Sequence, residues 1–320
     1  MITWGDPDLA AQASARLNRD EPFIAVLVDG AITRRAGSGI EEAADVEIGS
    51  VSKALTGLLL HDSIDRGEVT MATRLGDLLD LGSGPVGDVT LASLATHTSG
   101  LPRLAPAADT LRKTWRLLRH AENPYGESLD QLLHRVRDIV PKGTKPSYSN
   151  LGFMLLGHAV AAAAGQSYAS LVQSRLADPL GLSGLYVPVT DADLSPAAVR
   201  GRNRLGKLAE PWTGEALGPA GGVRATADDL AGLLAALLTA TAPGLAALDP
   251  VRAFSGKAVR IGAGWLVLEL EGRDYTWHNG GTGGFRSIVA LDRPAGRGVA
   301  VVRGTTRSAD GAGFGLLRGQ

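Results

Sequence analysis

Strand-forming runs stand at both ends of this chain and helix-forming runs fill the space between, which leaves few ways to fold it. Near the N-terminus, Phe23-Ile24-Ala25-Val26-Leu27-Val28 and Ala31-Ile32-Thr33-Arg34-Arg35 flank Asp29-Gly30, a strong two-residue hairpin signal. Towards the C-terminus, strand-like runs cover residues 265–270, 275–278, 285–291 and 299–303, with turns at Glu271-Gly272 and Arg293-Pro294-Ala295-Gly296. Two N-terminal strands alone are marginal in water, so the ends are expected to meet in one antiparallel sheet of five core strands, two from the N-terminus and three from the C-terminus. The middle carries helical periodicity, as in Val51, Ala54, Leu55, Leu58 and Leu59 and again in Leu230, Leu233, Leu234, Leu237 and Leu238. The expected class is therefore α+β. A single unit over residues 1–320 would comprise a sheet subdomain (1–49 and 250–320) and a helical subdomain (50–249). Asp6-Pro7 caps and opens a terminal helix running to about Leu17. A second terminal helix over residues 310–318 is weakened by Gly311, Gly313 and Gly315, each costing about 1 kcal/mol relative to Ala. Residues 187–222, rich in Pro, Gly and charge and poorly periodic, are expected to form a functional loop or flap.

Composition removes several function classes. With Lys+Arg 32 against Asp+Glu 33 the net charge is -1, so there is no electrostatic footprint for nucleic acid or an anionic membrane. The absence of cysteine excludes a thiol nucleophile, a disulfide scaffold and cysteine-ligated metals. His61, His97, His120, His134 and His158 show no H-x-x-x-H spacing, so neither a metal nor another cofactor is expected. The first residues lack a basic segment followed by an apolar one, and the apolar windows fall short of the ~20 residues that cross a bilayer. A cytoplasmic enzyme acting on a small molecule is the resulting expectation; nothing in the sequence speaks to oligomeric state. The Arg112 to Arg119 cluster with Trp115 reads as a solvated helix face, and Ser167 as a helix cap.

Chemistry concentrates in a few short strings. Ser50-Val51-Ser52-Lys53 opens a helix after Gly49, and the three-residue offset puts Ser50 and Lys53 on one face, a turn apart. That spacing suits a nucleophile and its base, although a capping serine beside a snorkelling lysine gives the same pattern. Three further strings accompany it in order: Thr96-His97-Thr98-Ser99-Gly100-Leu101-Pro102, Tyr148-Ser149-Asn150 before the apolar run from Leu151, and His278-Asn279-Gly280-Gly281-Thr282-Gly283-Gly284. Ala220-Gly221-Gly222-Val223 with Asp228-Asp229-Leu230 also fits. Together they resemble the serine β-lactamase and penicillin-binding-protein superfamily, in its class C-like branch, which includes class C β-lactamases, D-alanyl-D-alanine carboxypeptidases and S-x-x-K carboxylesterases.

The resemblance implies a β-lactamase/transpeptidase-like fold and a serine hydrolase working through an acyl-enzyme on small esters, amides or D-amino-acid derivatives. Ser50 would be the nucleophile, Lys53 and Tyr148 would share the proton work, and Asn150 would orient Lys53 and bind the substrate. The backbone N–H groups of Ser50 and Gly281 would form the oxyanion hole, beside His278 and Gly280. The base, Lys53 or Tyr148, is left open. His278 stands where many β-lactamases carry lysine and offers at most a partial charge near neutral pH. Carboxylate recognition would then fall to an arginine such as Arg260, Arg273 or Arg286. A true β-lactamase or carboxypeptidase is the alternative enzyme; a catalytically idle ligand-binding protein is the alternative from another class.

Overall fold

The computed structural model describes residues 1–17, 21–106, 110–256 and 258–319, with the backbone alone for 110–114. The Arg112 end of the basic cluster thus lies outside the described side chains. The two ends of the chain do meet. Strands β1 (Thr3–Gly5), β2 (Phe23–Asp29) and β3 (Ile32–Ser38) join β6 (Arg252–Ser255), β7 (Val259–Ile261), β8 (Leu266–Leu270), β9 (Arg273–Gly281), β10 (Arg286–Asp292) and β11 (Arg297–Arg303). They form one sheet in the order β1-β3-β2-β11-β10-β9-β8-β7-β6, every described pair antiparallel. The closing seam pairs Phe23 with Arg303 and Asp29 with Arg297.

Nine strands, not five, make this sheet. All four C-terminal runs, not three, enter the sheet, and the other three additions are short strands towards its edges: β1 has three residues, and the β6–β7 pairing is interrupted by a bulge, too brief to show period-two alternation. The hairpin turn also shifts by one residue. Asp29 still pairs with Ile32, so Gly30-Ala31 is the loop, with Gly30 supplying the positive φ.

Alternation along the strands divides the core in two. Phe23, Ala25, Leu27, Ile288, Ala290, Val299 and Val301 face α1 (Pro7–Arg16) and α11 (Asp310–Arg318). Ile24, Val26, Val28, Val289, Leu291, Ala300 and Val302 face the helical layer. The glycines do not abolish α11: a Cβ on Gly313 would come within 2.5 Å of Ile288, so one of them is what lets the helix lie close on the sheet.

The helical layer holds α2 (Val51–Asp65), α3 (Leu91–Ala95), α4 (Thr110–His120), α5 (Leu129–Val136), α6 (Asn150–Ala163), α7 (Tyr168–Val172), α8 (Asp178–Leu180), α9 (Gly218–Gly221) and α10 (Ala227–Leu238). A two-stranded pair, β4 (Val46–Glu47) with β5 (Arg224–Ala225), lies at its base. Helix α2 is apolar on almost every face and buried nearly throughout, with Leu55, Leu58 and Leu59 fully covered. Such a helix is fixed from all sides, and its N-terminus meets the end of β9. No helix among the described residues is long and apolar enough to cross a membrane.

Candidate active site

Ser50 occupies the cap position of α2, but its side chain makes no capping hydrogen bond. Its Oγ instead lies 3.1 Å from Lys53 Nζ, as the three-residue spacing predicts. Lys53 is fully buried, and its Nζ donates to the Ala220 carbonyl at 2.5 Å. Burial, with Arg103 adding to it, pushes its pKa well below the ordinary lysine value, so the neutral amine is accessible. The Ala220 string has a clear purpose here. Thr56 Oγ1 donates to the Pro219 carbonyl and the Val223 N–H to Ser52 Oγ, at 2.8 and 3.1 Å, which holds α9 against α2 and its carbonyl on the lysine.

Tyr148 precedes α6, where Ser149 is the cap: its Oγ accepts the Gly152 N–H at 2.9 Å and donates to the Pro102 carbonyl at 2.7 Å. The phenol is hydrogen-bonded to Ser50, and the Lys53 side-chain nitrogen lies 5.0 Å from the ring centroid. Burial raises the Tyr148 pKa to about 12, against the opposing pull of the Ser50 hydrogen bond and Arg103. His97 backs the tyrosine. Its ring lies 4.6 Å from that of Tyr148, and its Nδ1 accepts the Ser149 N–H at 3.1 Å, which leaves the proton on Nε2.

Asn150 does not sit as expected. Its Oδ1 is buried without a hydrogen-bond partner while its side chain bonds Tyr125, and Lys53 is oriented by Ser50 and the Ala220 carbonyl instead.

The end of β9 forms the opposite wall. Its pairing with β8 stops at Trp277, so Asn279 to Gly281 present an open edge. A Cβ on Gly280 would stand 2.1 Å from the Ile48 carbonyl and 3.0 Å from the Ser50 nitrogen. Ser287 Oγ ties the two segments by donating to Ile48 O at 2.7 Å. Only glycine allows this approach, which brings the Ser50 nitrogen close to the Gly280-Gly281 end of β9. Ser50 and Gly281 line a cleft of about 560 Å³ together with Tyr148, Asn279 and Gly280.

His278 is not part of that wall. It is 2% exposed, donates from Nδ1 to the Asn279 carbonyl at 2.6 Å, and is driven to a pKa of about 3 by burial with Lys53 beside it. The partial charge expected of it is absent at neutral pH. The cleft's cations are Arg103, Arg204 and Arg286. Of the three arginines singled out from sequence, Arg260 and Arg273 instead pair with Asp274 and Asp292 on the sheet. Arg103 directly follows the His97 to Pro102 string, and Arg204 lies in the 187–222 loop; neither position carries a periodic or motif signal.

A second feature invisible in sequence supports the site from below. Buried Glu47 accepts the Trp212 N–H at 2.8 Å, pairs with Arg224 at 3.4 Å and hydrogen-bonds Thr282. It thereby joins the 187–222 loop, the small sheet and the turn after Gly281; burial raises its pKa despite Arg224.

The family profile described as Beta-lactamase matches residues 10–313. The D-alanyl-D-alanine-carboxypeptidase/endopeptidase AmpH of Escherichia coli (strain K12) is 30% identical over 301 residues, covering 86% of this chain and 74% of its own. Penicillin-binding protein 4 of Amycolatopsis lactamdurans is 28% identical over 307 residues, covering 84% and 76%. Among solved structures, the class C beta lactamase from Rhodobacter sphaeroides matches with a TM-score of 0.80 at 20% identity, covering 98% and 99% of the two chains. The Beta-Lactamase/D-Alanine Carboxypeptidase from Pseudomonas syringae gives 0.81 at 16%, covering 97% of each. At such identities the structural likeness speaks for the fold.

Proposed function

The chain belongs to the Beta-lactamase family, whose members here are serine hydrolases, and we propose that it acts through an acyl-enzyme on Ser50 with small esters, amides or D-amino-acid derivatives as substrates. The observation that carries this reading is the uncapped Ser50 hydroxyl 3.1 Å from a fully buried lysine nitrogen. A helix cap would have spent that hydroxyl on the backbone, and an idle binding site has no use for a desolvated amine beside it.

The two displaced pKa values divide the proton work. Neutral Lys53 takes the Ser50 proton as Oγ attacks the carbonyl, because burial favours its neutral amine while it keeps the Tyr148 phenol protonated. The carbonyl oxygen becomes an anion facing the N–H groups of Ser50 and Gly281. Tyr148 gives its proton to the leaving group as that bond breaks, and Lys53 restores the proton to Tyr148. Water then attacks the acyl carbon by the same route in reverse, and Ser50 recovers its proton.

A neutral His278 argues for substrates that need no anchor at that position, hence esters ahead of β-lactams. A carboxypeptidase is the second reading, supported by the relative that bears that name. Labelling with a fluorophosphonate, read by intact mass and by peptide mapping, tests the first step. One adduct on Ser50, lost in Ser50→Ala, is expected; no adduct and no turnover of any ester would overturn the reading.

A further inference from the structure

The three cations of the cleft fall into two groups. Arg103 sits over the Tyr148 ring, its guanidinium carbon 5.2 Å from the centroid. Arg286 belongs to the other end, where the charges that act on it are those of Arg204 and Asp310. Its seat is built. Arg286 pairs with Gly281 across the β9–β10 ladder, so both residues address one face of the sheet. A Cβ on Gly281 would fall 2.8 Å from Arg286 Nη1 and 2.9 Å from Cζ, so the guanidinium occupies the space a side chain there would take. Nη1 donates to the carbonyls of Thr282 and Phe285, both at 2.8 Å, which fixes the fork and leaves its other nitrogens for the cleft. One carboxylate shares the seat: Asp310 lines the cleft, accepts from Asn279 Nδ2 at 2.9 Å and acts on Arg286, so two guanidiniums face one anion there.

The reacting carbonyl has three neighbours in this cleft: Ser50 on the attacking side, Gly281 at the oxyanion, and Tyr148 at the leaving group. An acyl chain continuing past Gly281 would meet Arg286, with Arg204 in the same part of the cleft. We propose that Arg204 and Arg286 form an anion subsite beside the oxyanion strand, and that the preferred substrates carry a carboxylate on the acyl portion, as in a half-ester or half-amide of a dicarboxylic acid. A planar, pinned guanidinium suits a carboxylate better than a mobile ammonium would. This proposal rests on the reading of Ser50 as nucleophile.

Matched substrates test it. 4-Nitrophenyl hemiadipate and 4-nitrophenyl hexanoate have acyl chains of equal length and differ by a terminal carboxylate; 3-carboxyphenyl hexanoate and phenyl hexanoate move the charge to the leaving group. The hemiadipate-to-hexanoate ratio of kcat/KM is expected to exceed about 10 in the wild type. It should fall roughly 10- to 150-fold in Arg286→Gln, the range of one charge-assisted hydrogen bond, fall also in Arg204→Gln, and recover in part in Arg286→Lys. Gly281→Ala, which keeps the N–H and displaces the guanidinium, should lower the same ratio. A ratio near one, a ratio indifferent to both arginines, or an arginine-dependent preference that appears only in the leaving-group pair overturns the proposal. Adipate binding by calorimetry supplies a readout without turnover: saturable binding that Arg286→Gln weakens supports the subsite even if Ser50 takes no label, and no binding to the wild type counts against the subsite alone when Ser50 does take it.

Discussion

Removing the Arg103 charge should move the acid limb of the kcat/KM profile to higher pH. Arg103 acts in the same useful direction on both partners of Ser50, favouring the neutral amine of Lys53 and the phenolate of Tyr148. With Arg103→Gln both groups hold their protons more tightly, so whichever takes the serine proton needs a higher pH to be free. Two unit charges 5.2 Å apart interact by about 3 kcal/mol at an effective dielectric of 20 and about 0.8 at that of water. Arg103 stands on the exposed rim while the tyrosine is half-buried, so about 1 to 2 kcal/mol is the working range once solvent screening is allowed for. That corresponds to a limb displaced upward by roughly one pH unit. The assay is hydrolysis of 4-nitrophenyl butyrate from pH 5 to 10, with Arg103→Lys as the control that keeps the charge. A profile that drops in height with its limb unmoved would mean that Arg103 only shapes the rim, and a downward move would refute the electrostatic argument outright.

Ser50→Ala should abolish turnover, and Lys53→Ala and Tyr148→Phe should each lower kcat by at least ~10³-fold without additivity, because the three act as a unit; single and double variants compared by steady-state kinetics decide it. His278 is neutral in the fold and its pKa lies near 3, below its unfolded value, so the unfolded chain binds the extra proton and stability falls as pH drops below about 6.5. Between pH 7 and 5 the wild type should lose ~2 kcal/mol that His278→Gln does not, measured by urea unfolding at each pH. Glu47→Ala should cost about 3 kcal/mol, since a buried partner of Arg224 is removed while Asp45 still holds the guanidinium, and a thermal midpoint within a degree of wild type would contradict that. kcat/KM for 4-nitrophenyl butyrate should exceed that for nitrocefin; a nitrocefin value near the diffusion limit would reverse the order of the two enzyme readings.

What was legible in the sequence is what short-range chemistry writes there. The Ser50-to-Lys53 offset is a helix turn, and Asn150 onward is an apolar helix; the strands that carry the sheet from β3 to β8 appear as strand-like runs between turn residues, although only five were expected to form its core. The short strands β1, β6 and β7 escaped because three or four residues are too few to show a period. The arginines of the cleft escaped for a different reason. A side chain that reaches the site from a loop is placed by the path of the backbone, and nothing local distinguishes Arg204 from Arg202, whose Nη1 is spent on the Gly206 carbonyl. Glu47 shows the same limit: its partners at 212, 224 and 282 are far away in sequence.

The position of positive charge ties these observations together. A lysine in place of His278 would stand behind the strand next to Lys53, and two adjacent buried amines cannot both be charged at moderate cost. Histidine at that place loses its proton to burial and leaves Lys53 without a charged neighbour in the core. The cations required for anionic intermediates and substrates then have to come from the rim, where water lowers the cost of keeping them ionised. Arg103 over Tyr148 and Arg286 over Gly281 occupy the two ends of such a rim. On this argument His278→Lys is a poor route to β-lactam hydrolysis. It should lower stability, because the introduced amine would be desolvated beside Lys53, and it should bring no gain in nitrocefin turnover, because residue 278 lies outside the cleft wall. A His278→Lys enzyme that folds as well as wild type and gains nitrocefin turnover would show that the rim arginines do not replace the buried charge.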